Sequence, residues 1–439
     1  MKICFAVTCK NRLSHIKETL PRNLADNPDA TFVLLDYNDS EGLAEWIKTS
    51  FYPNMAGQSL VYYQFKENVP FAMSHSKNLA HRCAMLEGAD VICNLDADNF
   101  TGAGFSDYLH SQFERAQHDP QEIFMWSRMM KGEMDRGISG RMAVTRNAFL
   151  VSGGYDEKYS THSPDDKDFN VRLRRMGFCA QEIDGKYLKA IKHNDKMRFK
   201  EYPQLQGQPH YHAEKHICPW STVVNRGGIG CGTVYRNFNP APIEIERLPT
   251  RIFGVGMHKT ATTSLHTAFG MLGFSSGHWN NAHWAKAVWN EMQFGRSGSL
   301  EKFYALSDLP FPVMFGQLDK AYPGSKFVLT MRDEGAWLNS VERHFNPKFN
   351  KFAANWESDP FTSRIHNTIY GQKHFDREVF LRRYRQHNAD VLHYFKNRPD
   401  DLLVMNMSLG DGWKELCGFL KMPVPNMEYP TNFKTQPNL

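Results

Sequence analysis

The feature that most restricts the fold is an alternation. Over the first hundred residues, short apolar, β-leaning runs take turns with stretches of helical period. Lys2 to Thr8 reads as a strand, and Asn11 to Leu24 as a helix with Leu13, Ile16, Leu20 and Leu24 on one face. Thr31 to Leu35, Val61 to Phe65 and Ala89 to Cys93 are further strands, separated by helices over Leu43 to Phe51 and Ser74 to Leu86. Strands alternating with helices predict a mostly parallel sheet covered on both faces. Ligands of such sheets gather at the carboxyl ends of the strands.

Acidic residues collect at those ends. The second strand runs into Asp36-Tyr37-Asn38-Asp39, and the fourth into Asn94-Leu95-Asp96-Ala97-Asp98-Asn99. Strand side chains alternate, so Asp96 and Asp98 point the same way. Two carboxylates on one side suit a hard divalent cation, whose other positions substrate phosphates typically fill. A solvated acidic turn is the plain alternative. Further on, Gly153-Gly154 makes room for close backbone approach. Asp165 and Asp166 open a helix that runs to about Met176, with Gly177 as its stop. Acids in a first turn are favoured by the helix dipole, so capping is one role for them. The other is a general base acting on an acceptor hydroxyl. His193 follows a strand-like stretch and is a candidate to complete a metal shell.

From Glu201 to Thr250 prolines interrupt the pattern, and residues 206–250 read as a linker or loop-rich subdomain. His210, His212 and His216 lie close together there, as a metal site, or with His212 or His216 reaching the first domain's site. A second constellation follows. Arg251 to Gly256 is a strand that enters Met257-His258-Lys259-Thr260-Ala261-Thr262-Thr263-Ser264, and a helix begins at once. Strand, small-residue loop with Lys and Thr/Ser, then helix makes a phosphate cradle. The spacing is not that of the Walker loop, which weakens a kinase reading. A second buried strand, Ser325 to Met331, ends in Arg332, and the next helix carries Trp337 and Ser340. Arg332 and Ser340 are placed to clamp one more phosphate. Arginines between Phe375 and Phe395 form a solvated helix face or a groove for an anionic glycan.

Composition sets the limits. Hydrophobic residues are 41% and charged residues 23% of 439, ordinary for globular domains, and the length suits two or three of them. A net charge of +5 does not call for nucleic acid but fits anionic small ligands. No run of about 18 apolar residues suggests a spanning helix. The eight cysteines form no Cys-x-x-Cys pair, and several read as small core hydrophobes of a reducing, cytoplasmic setting.

About the first 200 residues resemble the GT-A glycosyltransferases, closest to family-two enzymes with a galactosyltransferase-like C-terminal motif. The resemblance rests on Thr8 to Arg12, Asp36 to Ser40, Asp96-Ala97-Asp98, and Gly153-Gly154-Tyr155-Asp156-Glu157 followed by Pro164-Asp165-Asp166. It implies that Asp39 or Asp36 holds the nucleotide base or ribose, and that Lys77 approaches the diphosphate. Asp96 joins them in the donor site. Asp98 would ligate Mn2+ (or Mg2+), with His193 as second ligand, and Asp166 would be the base of an inverting transfer. Asp165 stands where the family usually has Glu. A UDP-sugar is the donor the resemblance favours.

Residues from 251 to about 430 resemble the sulfotransferases that use 3′-phosphoadenosine 5′-phosphosulfate (PAPS). Lys259, Thr260, Ala261, Thr262, Thr263 and Ser264 look like their 5′-phosphosulfate loop, and Arg332 with Ser340 like their 3′-phosphate motif. Ala261 stands where Gly is common, and Asp333-Glu334 replaces the usual Asn/Asp-Pro. The resemblance implies Lys259 on the leaving phosphate and Asp308, ahead of Pro310, as the base, with His258 and His278 as alternatives. The expected architecture is α/β throughout: a Rossmann-like GT-A domain over 1–205, the linker 206–250, and a P-loop-like sulfotransferase domain over 251–439. The expected partners are a nucleotide sugar, PAPS and a glycan acceptor, which peripheral contact with a membrane-linked glycan would also supply. In the alternative, only one domain is catalytic and the other is a glycan- or nucleotide-binding module.

Overall fold

In the computed structural model, the strands of the first half are β1 (Ile3–Cys9), β2 (Thr31–Tyr37), β3 (Leu60–Phe65) and β4 (Val91–Asp96). Helices α1 (Leu13–Asp26), α2 (Leu43–Ser50) and α3 (Met73–Leu86) connect them. There follow β5 (Asn99–Phe100), α4 (Phe105–Glu114), β6 (Ile123–Trp126), β7 (Met142–Thr145), α5 (Arg146–Ser152), α6 (Asp165–Arg175), β8 (Cys179–Glu182), β9 (Lys189–Ala190), β10 (Gly232–Arg236) and β11 (Ile243–Ile245). The described residues are 1–51, 59–115, 122–127, 138, 140–159, 165–191, 224–225, 228–279, 282–295, 297–356, 359–422 and 424–431.

Among them the sheet order is β11-β10-β3-β2-β1-β4-β7-β6-β8, with β5 and β9 as a separate ribbon. β1 to β4 run parallel, and β7 reverses against β4. β1 is apolar on both sides, and so takes the middle. Phe5 and Val7 enter one core with Ile16 and Leu20 of α1 and Phe105 and Leu109 of α4. Cys4 and Ala6 enter the other with Leu79, Ala80 and Cys83 of α3. In this register Cys9 pairs with Asp36 and Thr8 with Asp96, so both acidic strand ends flank the end of β1.

The expected linker differs. Residues 206–223 lie outside the described residues, but β10 adds antiparallel to β3 and β11 to β10. Val234 and Ile245 bury themselves in the second core. Arg82 ties the segment down by donating to the carbonyls of Ile229 (2.7 Å) and Glu246 (2.9 Å). The chain divides instead at Arg247/Leu248.

The second unit carries β12 (Ile252–Gly254), α7 (Thr262–Met271), β13 (Ser276–Gly277), α8 (Ala282–Met292), β14 (Ala305–Leu306), α9 (Phe315–Ala321) and β15 (Lys326–Thr330). After them come α10 (Glu334–Phe345), α11 (Pro360–Tyr370), α12 (Arg377–Phe395), β16 (Leu402–Met405) and α13 (Trp413–Leu420). Its sheet, β13-β14-β12-β15-β16, is parallel throughout. One core contains Phe253, Val255 and Phe327 with Val391 and Phe395 of α12. Another contains Met257 with Trp337, Ile365 and Tyr384. No described helix is long and apolar enough to cross a membrane.

Candidate active sites

In the first unit the acidic groups converge as the topology requires. A methyl at Gly140 would lie 2.9 Å from Asp96 Oδ2 and 3.1 Å from Asp166 Oδ2, so one backbone position without a side chain separates the end of β4 from the start of α6. Lys77, projecting from α3, is buried, and its Nζ lies 2.8 Å from Asp165 Oδ2 and 2.6 Å from Asp166 Oδ1. Burial opposes the Lys77 charge, but Asp165, Asp166 and Asp96 outweigh it and hold the ammonium charged well above its ordinary range. Burial and carboxylate neighbours raise Asp96 and Asp165, against the pull of Lys77. Three carboxylates thus share one ammonium, and the excess negative charge attracts a proton or a cation. Asp98, half-buried, accepts from Asn99 Nδ2 at 2.6 Å.

Lys77 therefore meets the Asp165–Asp166 pair. Asp36 is buried and accepts from the Tyr62 hydroxyl (2.5 Å) and the Asp39 amide (2.7 Å). Asp39 accepts from the amides of Asn11 (2.6 Å), Glu41 (2.8 Å) and Leu43 (3.1 Å), and so binds the loop after β1 to the start of α2. Both organise the strand ends. His193, His210, His212 and His216 lie outside the described residues. Among those described, no group of three or more His, Cys, Asp or Glu is placed to hold a metal ion. Gly140 and Arg141 escaped the sequence reasoning. Arg141 is buried and donates to Asn99 Oδ1 at 2.8 Å and to the Tyr187 carbonyl, bracing the loop that carries Asp98. The turn residue before a short strand gave no periodic signal for either.

In the second unit the loop after β12 is backbone-strained. Lys259 (φ 70°) and Ala261 (φ 73°) are both left-handed, as is Asp308 (φ 72°) after β14. Such conformations persist in non-glycine residues where the surroundings over-determine them, and they cluster at ligand clamps. Ala261 thus holds a backbone conformation that glycine adopts without strain. Gly256 is irreplaceable, because a Cβ there would lie 2.0 Å from Thr330 Oγ1 and 2.5 Å from the Thr330 carbonyl oxygen. Thr260 Oγ1 lies 2.6 Å from Thr330 Oγ1, and Trp337 Nε1 donates to the His258 carbonyl at 3.1 Å. The loop is thereby clamped to β15 and α10.

Arg332 leaves the end of β15. Its backbone N–H donates to the Tyr384 hydroxyl, which in turn donates to the Arg332 carbonyl, both at 2.9 Å. Tyr384 falls on the buried stripe of α12 and was not singled out in the sequence. Arg332 Nε is buried with no hydrogen-bond partner among the described residues, and Ser340 on α10 is half-buried. Burial lowers Lys259 against the pull of Asp308, with Arg332 adding to the lowering. Burial raises Asp308, and His278, the Leu309 amide and Lys259 oppose it. Asp308 Oδ1 also lacks a partner among the described residues. A guanidinium donor and a carboxylate oxygen without partners among the described residues, with a half-buried lysine, thus mark one region of strand ends. They match the needs of a doubly anionic donor and a hydroxyl acceptor. On α12, Arg385 pairs with Glu334 (2.6 Å), and Arg383 caps α11 through the carbonyls of Thr368 and Ile369.

Residues 251–436 match the family described as Sulfotransferase domain. A curated protein of Aspergillus versicolor, Ava biosynthesis cluster protein M, is 26% identical over 212 residues, 41% of this chain and 79% of that protein. Three solved structures align with the N-terminal half. The mannosyltransferase PcManGT of Pyrobaculum calidifontis, in complex with GDP-Man and Mn2+, aligns over 49% of this chain and 69% of its own, at 14% identity and a TM-score of 0.35. S. aureus TarS aligns over 49% of this chain and 41% of its own, at 13% identity and a TM-score of 0.32. The catalytic domain of Drosophila beta1,4-galactosyltransferase 7, in complex with xylobiose, aligns over 49% and 83%, at 14% identity and a TM-score of 0.31. The fold of the first unit rests on its own topology: the parallel β3-β2-β1-β4 core is as expected, and β7 adds to it antiparallel.

Proposed function

We propose that this chain, whose residues 251–436 match a sulfotransferase domain, is a bifunctional glycan-building transferase. The second unit moves a sulfuryl group from PAPS to a carbohydrate hydroxyl. The first moves a sugar from a nucleotide-sugar donor, with inversion. The observation that carries this reading is the meeting of Lys259, Asp308 and Arg332 at the strand ends of a domain of that family.

In sulfuryl transfer the acceptor oxygen bonds to sulfur while the bond from sulfur to the 5′-phosphate oxygen breaks. Asp308 accepts the hydroxyl proton, and burial, which raises its affinity for that proton, favours the transfer. Lys259 meets the charge that builds on the departing phosphate, in a site from which burial excludes much of the water. The unpartnered Arg332 Nε and the Ser340 hydroxyl suit the 3′-phosphate.

In the first unit Asp166 is the base for the acceptor hydroxyl, with Lys77 holding its carboxylate in place. Asp98, with Asp96, would hold Mn2+ or Mg2+, and the surplus of negative charge around Gly140 fits such an ion. The ion supplies charge neutralisation on a departing diphosphate. Asp39 and Asp36 shape the nucleotide side of the pocket through the loops they bind. UDP-linked sugars are the first donors to try, and polysaccharide building in the cytoplasm is the setting proposed.

Purified protein is incubated with PAPS, then with nucleotide sugars and Mn2+, over a glycan panel. Asp98→Ala should abolish only nucleotide-sugar consumption, and Lys259→Ala only release of 3′-phosphoadenosine 5′-phosphate. Sulfation that survives Lys259→Ala would sink the donor-loop assignment. Donor binding without turnover in one unit would make that unit a binding module.

A further inference from the structure

His278 follows β13 and turns toward the donor loop. Its Nε2 lies 3.4 Å from Asp308 Oδ2 and 3.3 Å from Thr262 Oγ1. The ring of His266, on α7, packs behind it at 5.2 Å between centroids, and His266 Nδ1 lies 2.8 Å from Ser276 Oγ. Asp308 is buried and left-handed, and its two oxygens are unequal: Oδ2 faces His278, and Oδ1 has no hydrogen-bond partner among the described residues. The Leu309 amide also bonds this carboxylate, and with Oδ2 beside His278 it is Oδ1 that is left for a further partner.

We propose that His278 is a positioning residue for sulfuryl transfer, holding Asp308 Oδ2 so that Oδ1 faces the acceptor hydroxyl and tying that carboxylate to Thr262 at the start of α7. This deepens the reading above and rests on Asp308 as the base. In the step, the acceptor oxygen forms its bond to sulfur, the bond from sulfur to the 5′-phosphate of PAPS breaks, and the proton passes to Asp308 Oδ1. The leaving group is 3′-phosphoadenosine 5′-phosphate. His278 makes no bond to the reacting atoms.

The surroundings allow a specific test. Asp308 feels His278 and Lys259, and its charge reaches Tyr370 on α11. His278 is also felt by His266 and by His258. Burial raises the Asp308 proton affinity while His278 and Lys259 lower it. Removing His278 therefore leaves burial less opposed, and Asp308 must release its proton at higher pH.

The experiment follows kcat/KM against pH for wild type, His278→Ala, His278→Asn, His278→Gln and Asp308→Asn. The donor is PAPS, and the acceptor is whichever member of the glycan panel wild type sulfates best. In parallel, NMR of 13C-carboxyl-labelled aspartate follows Asp308 in the donor-free protein. With His278→Ala or the too-short His278→Asn, the acid limb and the Asp308 titration should both move up by about one pH unit. The rate at neutral pH should fall roughly tenfold or more, with KM for PAPS little changed. His278→Gln, whose amide nitrogen reaches as far as Nε2, should recover part of the rate. If His278→Ala does not fold, His278→Asn decides. A limb and titration coincident with wild type would overturn the proposal, and so would a His278→Gln no more active than His278→Ala, since a histidine acting by charge alone is not rescued by a neutral amide. Full activity in Asp308→Asn would instead remove the base assignment beneath it.

Discussion

Arg332 Nη1 donates to the Lys259 carbonyl oxygen at 3.3 Å, so the strand-end arginine and the loop lysine share one cationic edge. Neither cation has a carboxylate in ion-pair contact among the described residues, and the Arg332 Nε is buried without an acceptor. A donor with two separated phosphate groups satisfies both at once.

Arg332→Ala should therefore weaken binding of 3′-phosphoadenosine 5′-phosphate. A charged hydrogen bond contributes about 1.5–3 kcal/mol, so Kd should rise by about 10- to 150-fold. Calorimetric titration measures it, and an unchanged Kd would show that the 3′-phosphate binds elsewhere.

Gly256→Ala should disrupt the donor loop itself. Its Cβ would press on the backbone and hydroxyl of Thr330, which cannot yield without moving β15. Overpacking of this kind costs about 1–3 kcal/mol or more. Thermal unfolding should show the second unit melting earlier, with stabilisation by 3′-phosphoadenosine 5′-phosphate lost.

Acid should destabilise the second unit through its buried imidazoles. Burial lowers His344 to about 3 and His366 to about 4, and lowers His258 well below its usual range. For a base with a depressed folded value, the unfolded chain binds more protons between the two values. Stability from these groups is complete above about pH 6.5, the unfolded value, and is lost as pH falls toward 4 and 3. Denaturant unfolding from pH 7.5 to 5 should show the decline, and His366→Phe should flatten it. A pH-independent midpoint would contradict the burial of these rings.

Lys77→Met should damage the first unit more than any surface lysine. It strands Asp165 and Asp166 without their shared ammonium, and breaking a buried pair costs about 3–5 kcal/mol. Adding Asp165→Asn should recover part of that loss, as a double-mutant cycle would measure. Independent, additive losses would mean the three side chains do not act together.

Much of this was legible because local pattern and tertiary demand agree. The strands β1 to β4 announce themselves by apolar runs, and the position of Asp96 at a strand end follows from where the run stops. The loop from Lys259 to Ser264 was legible in the same way, as a strand meeting a helix. Lys77 was not, because its place on α3 gives its direction but not its partner, which lies 88 residues on at Asp165. Asp308 and His278 were visible as candidates, yet their pairing depends on two short strands that come together only in the folded sheet. β10 was hidden among glycines and prolines, since its identity comes from pairing with β3 rather than from any period of its own.

That last strand bears on how the protein is handled. A fragment ending at residue 205, where the sequence suggested a boundary, would lack β10 and β11 and leave β3 with a bare row of amide and carbonyl groups. Unpaired sheet edges template association between molecules. Such a fragment would be expected to precipitate or self-associate, and failure to isolate it as a monomer would say nothing about its chemistry.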